Sequence, residues 1–155
     1  MQQLQGEQLA NEIVQQVSGL VSGEPDLIAN LSNVSALLNQ YLPDINWVGF
    51  YIMRDGKLVL GPFQGKVACI RIPVGRGVCG TAAATRETQR IDDVHAFPGH
   101  IACDGASNSE LVVPIIVNDN VVAVLDIDSP KHARFTVEVQ QEIEAVVNVL
   151  ETLNW

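Results

Sequence analysis

Two hairpin patterns constrain the fold of this chain more than any other feature. In the first, Asp55-Gly56 separates two runs of strand-favouring residues, 46–53 and 57–62. Asp-Gly strongly indicates a two-residue hairpin turn, because both turn positions need a positive φ. In the second, a three-residue polar turn at 118–120 separates residues 110–117 from residues 121–128. Because hairpins join antiparallel neighbours, the sequence predicts a mainly antiparallel sheet.

Helical periodicity predicts the elements that pack on this sheet. Apolar residues recur at helical spacing in residues 8–21 and 26–42, where Pro43 ends the second helix. A short helix is predicted at 78–85, and a last helix begins at Thr136, its predicted N-cap. Two further strands are predicted at 67–73 and 89–91. The fold class is therefore α+β, with a central antiparallel β-sheet flanked by helices.

Length and composition narrow the class of protein. A chain of 155 residues has the usual size of one domain, so we predict a single domain over 1–155. The net charge of −9 disfavours nucleic acids and anionic membrane surfaces as partners. No apolar run approaches the ~20 residues that span a bilayer. Because the first residues also lack the pattern of a secretory signal, we expect a cytoplasmic protein.

The strand at 46–53 carries aromatic residues on one face. Trp47, Gly49 and Tyr51 share that face, while the apolar residues that alternate with them face the core. A glycine between two aromatic residues is compatible with a gap that has aromatic walls and a backbone floor, which suits a small ligand. From this segment alone, an ordinary strand buried on both faces is favoured, because aromatic residues are common in strands.

The strand at 121–128 changes from apolar to acidic along one face, on which Val124 is followed by Asp126 and Asp128. Carboxylates on a buried face are costly unless they are paired or protonated. The hairpin places Glu110 near the Asp128 end of the partner strand, so three acids are predicted to cluster. Like charges at short range raise the pKa of at least one acid. The alternative is three independent, solvated carboxylates at strand ends.

The chain has three cysteines, which is an odd number for a disulfide framework. Cys69 lies in a predicted strand. Cys79 lies near the start of a short helix, where exposed N–H groups are expected to lower the pKa of a thiol. Cys103 lies in the long segment 94–109, which has little periodicity and is expected to be either a functional loop or a disordered one. Inert core thiols, a metal site and redox chemistry all remain open from the residues alone.

Two other site types are considered. His95 and His100 supply zinc ligands together with the cysteines, but the closest cysteines lie ten positions apart and fit no zinc motif. We therefore predict no metal site and assign both histidines to loop hydrogen bonds. The glycine-rich run 75–80 either binds an anion at a helix N-terminus or forms a tight turn, and the turn is favoured as its main role.

Five segments together resemble the free methionine-(R)-sulfoxide reductases, a family of GAF-domain enzymes. They are Asn46-Trp47-Val48-Gly49-Phe50-Tyr51, Leu60-Gly61-Pro62-Phe63-Gln64-Gly65, Ile72-Pro73-Val74-Gly75-Arg76-Gly77-Val78-Cys79-Gly80, His100-Ile101-Ala102-Cys103-Asp104 and Leu125-Asp126-Ile127-Asp128-Ser129. The resemblance covers about residues 26–150. It implies a GAF-like fold, with helices on one side of the sheet and the ligand pocket on the other.

The resemblance also implies a role for each matching residue. Cys103 corresponds to the catalytic thiol, Cys69 to the main resolving thiol and Cys79 to an auxiliary cysteine. The substrate pocket corresponds to Trp47, Tyr51, Glu110, Asp126 and Asp128. No bound cofactor or metal is implied. A homodimer is compatible with the resemblance, because GAF domains often pair through helices.

The implied activity is reduction of free L-methionine (R)-sulfoxide, as a defence against oxidative stress. Cys103 becomes a sulfenic acid, forms a disulfide with Cys69 and is recycled by thioredoxin, which takes electrons from NADPH through thioredoxin reductase. The competing hypotheses are a non-enzymatic GAF sensor of a small ligand, a zinc-binding protein and a general thiol peroxidase.

Overall fold

The computed structural model describes residues 2–100 and 105–155, with side chains from residue 12 onward. Within these residues the elements follow the predicted order of two helices, three strands, a short helix, a strand, a hairpin and a last helix. They are α1 (Gln2–Val21), α2 (Leu27–Tyr41), β1 (Trp47–Arg54), β2 (Lys57–Gly65), β3 (Arg71–Pro73), α3 (Gly77–Thr85), β4 (Gln89–Ile91), a 3-10 turn (Val94–Ala96), β5 (Ser109–Val117), β6 (Asn120–Ser129) and α4 (Val137–Leu150).

The strands form one antiparallel sheet in the order β3-β2-β1-β6-β5-β4. Apolar residues of α1, α2 and α4 pack with Val48, Phe50 and other residues on one face of this sheet. Residues of α3 pack with Trp47 and Tyr51 on the opposite face. The predicted α+β class, with a central antiparallel sheet between helices, is confirmed.

The hairpin turns explain the register of the sheet. Asp55 and Gly56 both have positive φ, 51° and 77°, as a two-residue turn of the predicted kind requires. The second turn is shorter than predicted, because β6 begins at Asn120 and pairs it with Val117. Only Asn118 and Asp119 remain in this turn, and both have positive φ. Both residue types tolerate that conformation, so two residues are enough to reverse the chain.

Side-chain caps fix the beginnings of α2 and α4. Asp26 Oδ1 accepts a hydrogen bond of 2.8 Å from Ala29 N, and Thr136 Oγ1 accepts one of 3.2 Å from Val139 N. These bonds satisfy N–H groups that the first helical turn leaves without backbone acceptors. The prediction of Thr136 as an N-cap is therefore confirmed.

The predicted strand at 67–73 is wrong for most of its length, since only Arg71–Pro73 pairs with β2. In the rest of this segment, at 66–70, backbone carbonyl groups instead accept hydrogen bonds from two aromatic side chains of β1. Trp47 Nε1 donates to Lys66 O at 3.1 Å, and Tyr51 Oη donates to Cys69 O at 2.9 Å. These bonds hold the segment across the aromatic face of β1, so Cys69 lies before β3 and outside any strand.

Gly49 allows close approach of β2 to β1. A Cβ atom at this position would lie 2.3 Å from Phe63 Cβ and 2.7 Å from Phe63 Cα. The Phe63 ring stacks on Trp47, with ring centroids 5.1 Å apart. The interpretation of Gly49 as the floor of a ligand-sized gap is therefore wrong, because the neighbouring strand fills that space.

We expect Gly49→Ala to lower the free energy of unfolding by about 1–3 kcal/mol, because backbone atoms of β2 must move to admit the methyl group. Urea unfolding measures this change. Gly19→Ala is the matched control, since beyond the local backbone of α1 no atom lies within 4 Å of a Cβ built there, and alanine favours a helix. Wild-type stability of Gly49→Ala would contradict the assigned close contact.

Candidate active site

A pocket opens on the aromatic face of the sheet, opposite α1, α2 and α4. All five residues predicted to bind substrate line it, together with Cys79 and with residues from the start of α3. The predicted pocket residues are Trp47, Tyr51, Glu110, Asp126 and Asp128. The structure therefore brings together residues that are far apart in the sequence.

Strand register explains why the acids meet. Asp128 pairs with Glu110 of β5 on one side and with Trp47 of β1 on the other. Asp126 lies two residues earlier on β6, so its side chain points to the same face as Asp128. Glu110 lies beside the Asp128 end of the partner strand, as the hairpin predicts, and the alternative of independent, solvated carboxylates is wrong.

In the acid cluster, defined as Glu110, Asp126 and Asp128, two members are buried and Asp128 is half-buried. Glu110 is 7% exposed and Asp126 is 5% exposed. Burial, and then the charges of Asp126 and Asp128, raise the pKa of Glu110 well above its usual range. Burial also raises the pKa of Asp126, although hydrogen bonds from Glu110 and Cys79 oppose this rise. Of these two buried acids, Glu110 is therefore the one that holds a proton more readily.

Asp126 also offers an unused acceptor. Its Oδ1 atom is buried and has no hydrogen-bond partner in the described part of the chain. A buried oxygen without a donor is costly, so the arrangement favours a ligand that brings an N–H or O–H group. The atom belongs to a residue of the pocket wall, which makes a cationic or donor-rich ligand the best match.

Trp47 and Tyr51 form a neutral aromatic wall. Their ring centroids lie 5.9 Å apart with an angle of 22° between the planes. The polar atoms of both rings bind the backbone of the Cys69 segment, as described above, so apolar ring surface is left for the pocket. Burial, followed by the acids, raises the pKa of Tyr51 well above its usual value, so this phenol stays protonated.

The beginning of α3 adds hydrogen-bond donors. Gly77, Val78 and Cys79 line the pocket, and backbone N–H groups in the first turn of a helix have no acceptor within that helix. The Arg76 side chain does not cap this end. The glycine-rich run also makes the tight turn that was favoured, since Gly75 N donates to Gly80 O at 2.8 Å. The tight turn and anion binding at the start of α3 are therefore compatible with each other.

Cys79 does not have the lowered pKa that its place near a helix start suggested. The thiol is 4% exposed and free, and Sγ lies 4.0 Å from Glu110 Oε2. Burial, and then Asp126, Glu110 and Asp128, raise its pKa well above the usual value. The expectation is wrong because burial and three nearby acids outweigh the helix terminus. Cys79 is therefore a protonated thiol beneath the acids.

Of the other two cysteines, Cys69 lies within the described residues and Cys103 does not. Cys69 is disulfide-bonded, and its backbone oxygen accepts the hydrogen bond from Tyr51. Cys103 lies outside the described residues, so its predicted place beside the acids stays a prediction. The structure thus locates two of the three predicted redox residues.

Among the described residues, the group that could hold a metal ion differs from the zinc set considered above. Sγ of Cys79 and one carboxylate oxygen each of Glu110 and Asp126 lie within 4.8 Å of one another. Neither histidine joins them. His95 Nε2 lies 3.0 Å from Asn108 Oδ1, which agrees with a loop hydrogen bond, and His100 lines the pocket.

The pocket also contains Ser107 and His100, which the sequence pattern did not indicate as pocket residues. Ser107 is 5% exposed, and its Oγ accepts a hydrogen bond of 3.1 Å from Asn46 Nδ2. Burial lowers the pKa of His100, with a further contribution from His95. A signal for Ser107 is its place just before β5, where Asn108 N still donates to Ser129 O and continues the pairing with β6.

No helix among the described residues has the length and apolar character needed to cross a bilayer.

Comparison with known proteins gives consistent matches. The GAF domain family matches residues 6–153. The chain is 58% identical over 134 residues to the free methionine-R-sulfoxide reductase of Escherichia coli, covering 86% of this chain and 81% of the relative. It is also similar to fRMsr of Staphylococcus aureus, solved in complex with substrate, with 50% identity, coverage of 92% and 93% and a TM-score of 0.88. A third match is the free methionine-R-sulfoxide reductase of Neisseria meningitidis in complex with its substrate, with 42% identity, coverage of 92% and 86% and a TM-score of 0.89.

Proposed function

The chain belongs to the free methionine-R-sulfoxide reductases of the GAF-domain family, and from this premise we propose that it is an oxidoreductase that converts free L-methionine (R)-sulfoxide to methionine. One observation carries the proposal for this chain. Three acids, of which Glu110 and Asp126 are buried, line a pocket against an aromatic wall, and one of the acid oxygens has no described donor. That arrangement matches a small substrate with an ammonium group and a reducible oxygen.

Each part of the substrate finds a chemical complement in the pocket. The ionised acids bind the ammonium group, with Asp126 Oδ1 as one acceptor. The N–H groups at the start of α3 bind the carboxylate. The ring faces of Trp47 and Tyr51 pack against the methylthio end and the short apolar chain. A site that binds both charged termini excludes a methionine residue inside a protein, which explains specificity for the free amino acid.

The reaction needs a proton at the sulfoxide oxygen and a thiolate at the sulfur. Glu110, held neutral by its surroundings, supplies the proton. Cys103 then attacks the activated sulfoxide. The oxygen ends on Cys103 as a sulfenic acid, and the substrate sulfur is reduced to the thioether of methionine.

The sulfenic acid is resolved by Cys69. Its sulfur attacks the Cys103 sulfur, a disulfide forms, and the hydroxyl of the sulfenic acid leaves as water with the proton from the Cys69 thiol. The disulfide-bonded state of Cys69 supports this role, as does the finding that Cys79 is a free, buried thiol with a raised pKa. Thioredoxin then reduces the disulfide with electrons from NADPH, delivered by thioredoxin reductase. No bound cofactor takes part in this cycle.

The proposal extends to the organisation of the protein. Residues 1–155 form one GAF-like catalytic domain. The enzyme acts in the cytoplasm, because thiol recycling requires a compartment that keeps dithiol proteins reduced. A homodimer formed through helices stays compatible with these assignments.

The function is tested with three substrates, each supplied with thioredoxin, thioredoxin reductase and NADPH. We expect oxidation of NADPH with free methionine (R)-sulfoxide, and none above background with the free (S) epimer or a peptide-bound sulfoxide. Equal rates with the peptide would contradict a pocket built around both termini. Tight binding of the free (R)-sulfoxide without turnover, under thioredoxin and under dithiothreitol, would show a sensor instead of an enzyme.

A further inference from the structure

The segment that carries Cys69 leaves large apolar side chains in water. Val67 is 89% exposed, Ile70 is 62% exposed and Val74 is 40% exposed. Six large apolar side chains are exposed in the described part of the chain, and these three are half of them. Apolar side chains concentrated on one short stretch mark a contact surface more often than scattered ones do.

Positive charge concentrates around the same segment. Five of the nine lysines and arginines of this acidic chain lie between positions 54 and 76, against a single acid, Asp55. They are exposed, and no described carboxylate lies within ion-pair distance of any of them. These residues are Arg54, Lys57, Lys66, Arg71 and Arg76. The protein therefore presents a local cationic region on a surface that is otherwise acidic.

The backbone holds this segment in place at two points. Ile70 O accepts a hydrogen bond of 2.9 Å from Leu60 N, and Cys69 O accepts the bond from Tyr51 Oη. Beyond Ile70 the chain enters β3, which lies at the edge of the sheet. The apolar side chains next to Cys69 are thus exposed on an anchored backbone, at a place where another protein can approach.

We propose that this region, termed the edge patch and defined as Lys66, Val67, Ile70, Arg71 and Val74, is the docking surface for the protein that reduces the disulfide at Cys69. The partner is an acidic dithiol protein with apolar residues around its reactive thiol. The inference rests on the proposed function, because it concerns the recycling step of that cycle. Apolar contacts supply the buried area, and opposite charge steers the approach.

In the proposed recycling step the partner attacks Cys69, which places the contact between the two proteins here. The attacking thiolate of the partner forms a bond to Cys69 Sγ while the Cys69–Cys103 bond breaks, and Cys103 leaves as a thiolate. The second thiol of the partner then attacks the mixed disulfide and releases Cys69. Two electrons pass to the enzyme, and the partner becomes a disulfide. Because the attack is made on Cys69, the residues on either side of it touch the partner first.

The first test is Ile70→Asp, assayed with thioredoxin and separately with dithiothreitol. We expect the kcat/KM for thioredoxin to fall about tenfold, in the range of a contact that matters at an interface, with the dithiothreitol rate unchanged. Ile28→Asp is the matched control, since Ile28 is 47% exposed on α2, which packs on the face of the sheet opposite Cys69. Equal losses in the two variants, or equal losses with both reductants, would overturn the proposal.

The second test changes charge. Arg71→Glu should lower the kcat/KM for thioredoxin severalfold at low salt, and added salt should reduce the difference from wild type. Arg86→Glu makes the same change in net charge outside the edge patch. A thioredoxin that keeps only its attacking cysteine should be trapped on Cys69, and trapping on another cysteine would overturn the proposal.

Two results separate this inference from the proposed function. Turnover with dithiothreitol but none with wild-type thioredoxin would overturn the docking proposal and leave the reductase activity intact. Absence of turnover with either reductant would overturn the proposed function itself, and the docking proposal with it.

Discussion

Cys103→Ser should abolish release of methionine from free methionine (R)-sulfoxide with every reductant, lowering the rate by at least about 10³-fold. The reason is chemical, because a serine hydroxyl cannot accept the sulfoxide oxygen in the way that a thiolate does. The assay measures methionine directly, with dithiothreitol and with thioredoxin. Circular dichroism and thermal unfolding show whether the variant is folded.

Cys69→Ser is the control that separates the two thiols. It should still release one methionine for each chain, because Cys103 can form its sulfenic acid once without a resolving partner. It should then fail to cycle with thioredoxin, which needs a disulfide to reduce. Equal, mild losses in Cys103→Ser and Cys69→Ser would contradict the roles assigned to both residues.

Glu110→Gln should lower kcat by about 10²- to 10⁴-fold, the usual contribution of a positioned proton donor. Glutamine keeps the size and hydrogen-bonding ability of the side chain but cannot donate the proton. Steady-state kinetics with saturating dithiothreitol measure the loss. Glu87→Gln, a change at an exposed glutamate with the same chemistry, should leave kcat unchanged. Unchanged kinetics of Glu110→Gln would exclude Glu110 as the donor.

The same variant should be more stable than wild type at high pH. The pKa of Glu110 is higher in the folded protein than in the unfolded chain, where it is about 4.3. The folded state therefore binds more protons, and its stability falls as pH rises from the unfolded pKa to the folded pKa, by up to about 1.4 kcal/mol per pH unit. Glutamine removes this penalty, so its stabilising effect should grow between pH 5 and pH 8. Urea unfolding at both pH values measures it.

The features of the fold that follow from local pattern could be predicted. Alternation along β1 and β6 fixed which side chains share a face, and the hairpin brought Glu110 next to Asp128. A one-residue shift of register would have moved every acid to the opposite face. The cluster of three acids follows from these local rules, which is why a single sequence was enough to predict it.

The predictions that were wrong concern features that depend on contacts between elements distant in sequence. Cys69 lies outside a strand because Trp47 and Tyr51 bind the backbone of its segment. The pKa of Cys79 is raised because packing of α3 on the sheet buries the thiol, and also because it lies beside the acids of β5 and β6. The space above Gly49 is filled by Phe63 of the adjacent strand. None of these partners is visible in the local pattern around the residue concerned.

The roles of the residues came from the family resemblance and not from pattern. Composition, spacing and periodicity left core thiols, a metal site and redox chemistry open for the three cysteines. The structure then reduced these alternatives for Cys79, because it shows this residue as a buried, protonated thiol. Cys103 still depends on the resemblance, so experiments on that residue carry the most information.

The most direct measurement counts the methionine released when fully reduced protein meets excess free methionine (R)-sulfoxide without any reductant. If the acid-lined pocket serves a thiol reductase, each chain releases one methionine and loses two free thiols, and the (S) epimer releases none. Release of no methionine, with all three thiols still titratable, would contradict the account.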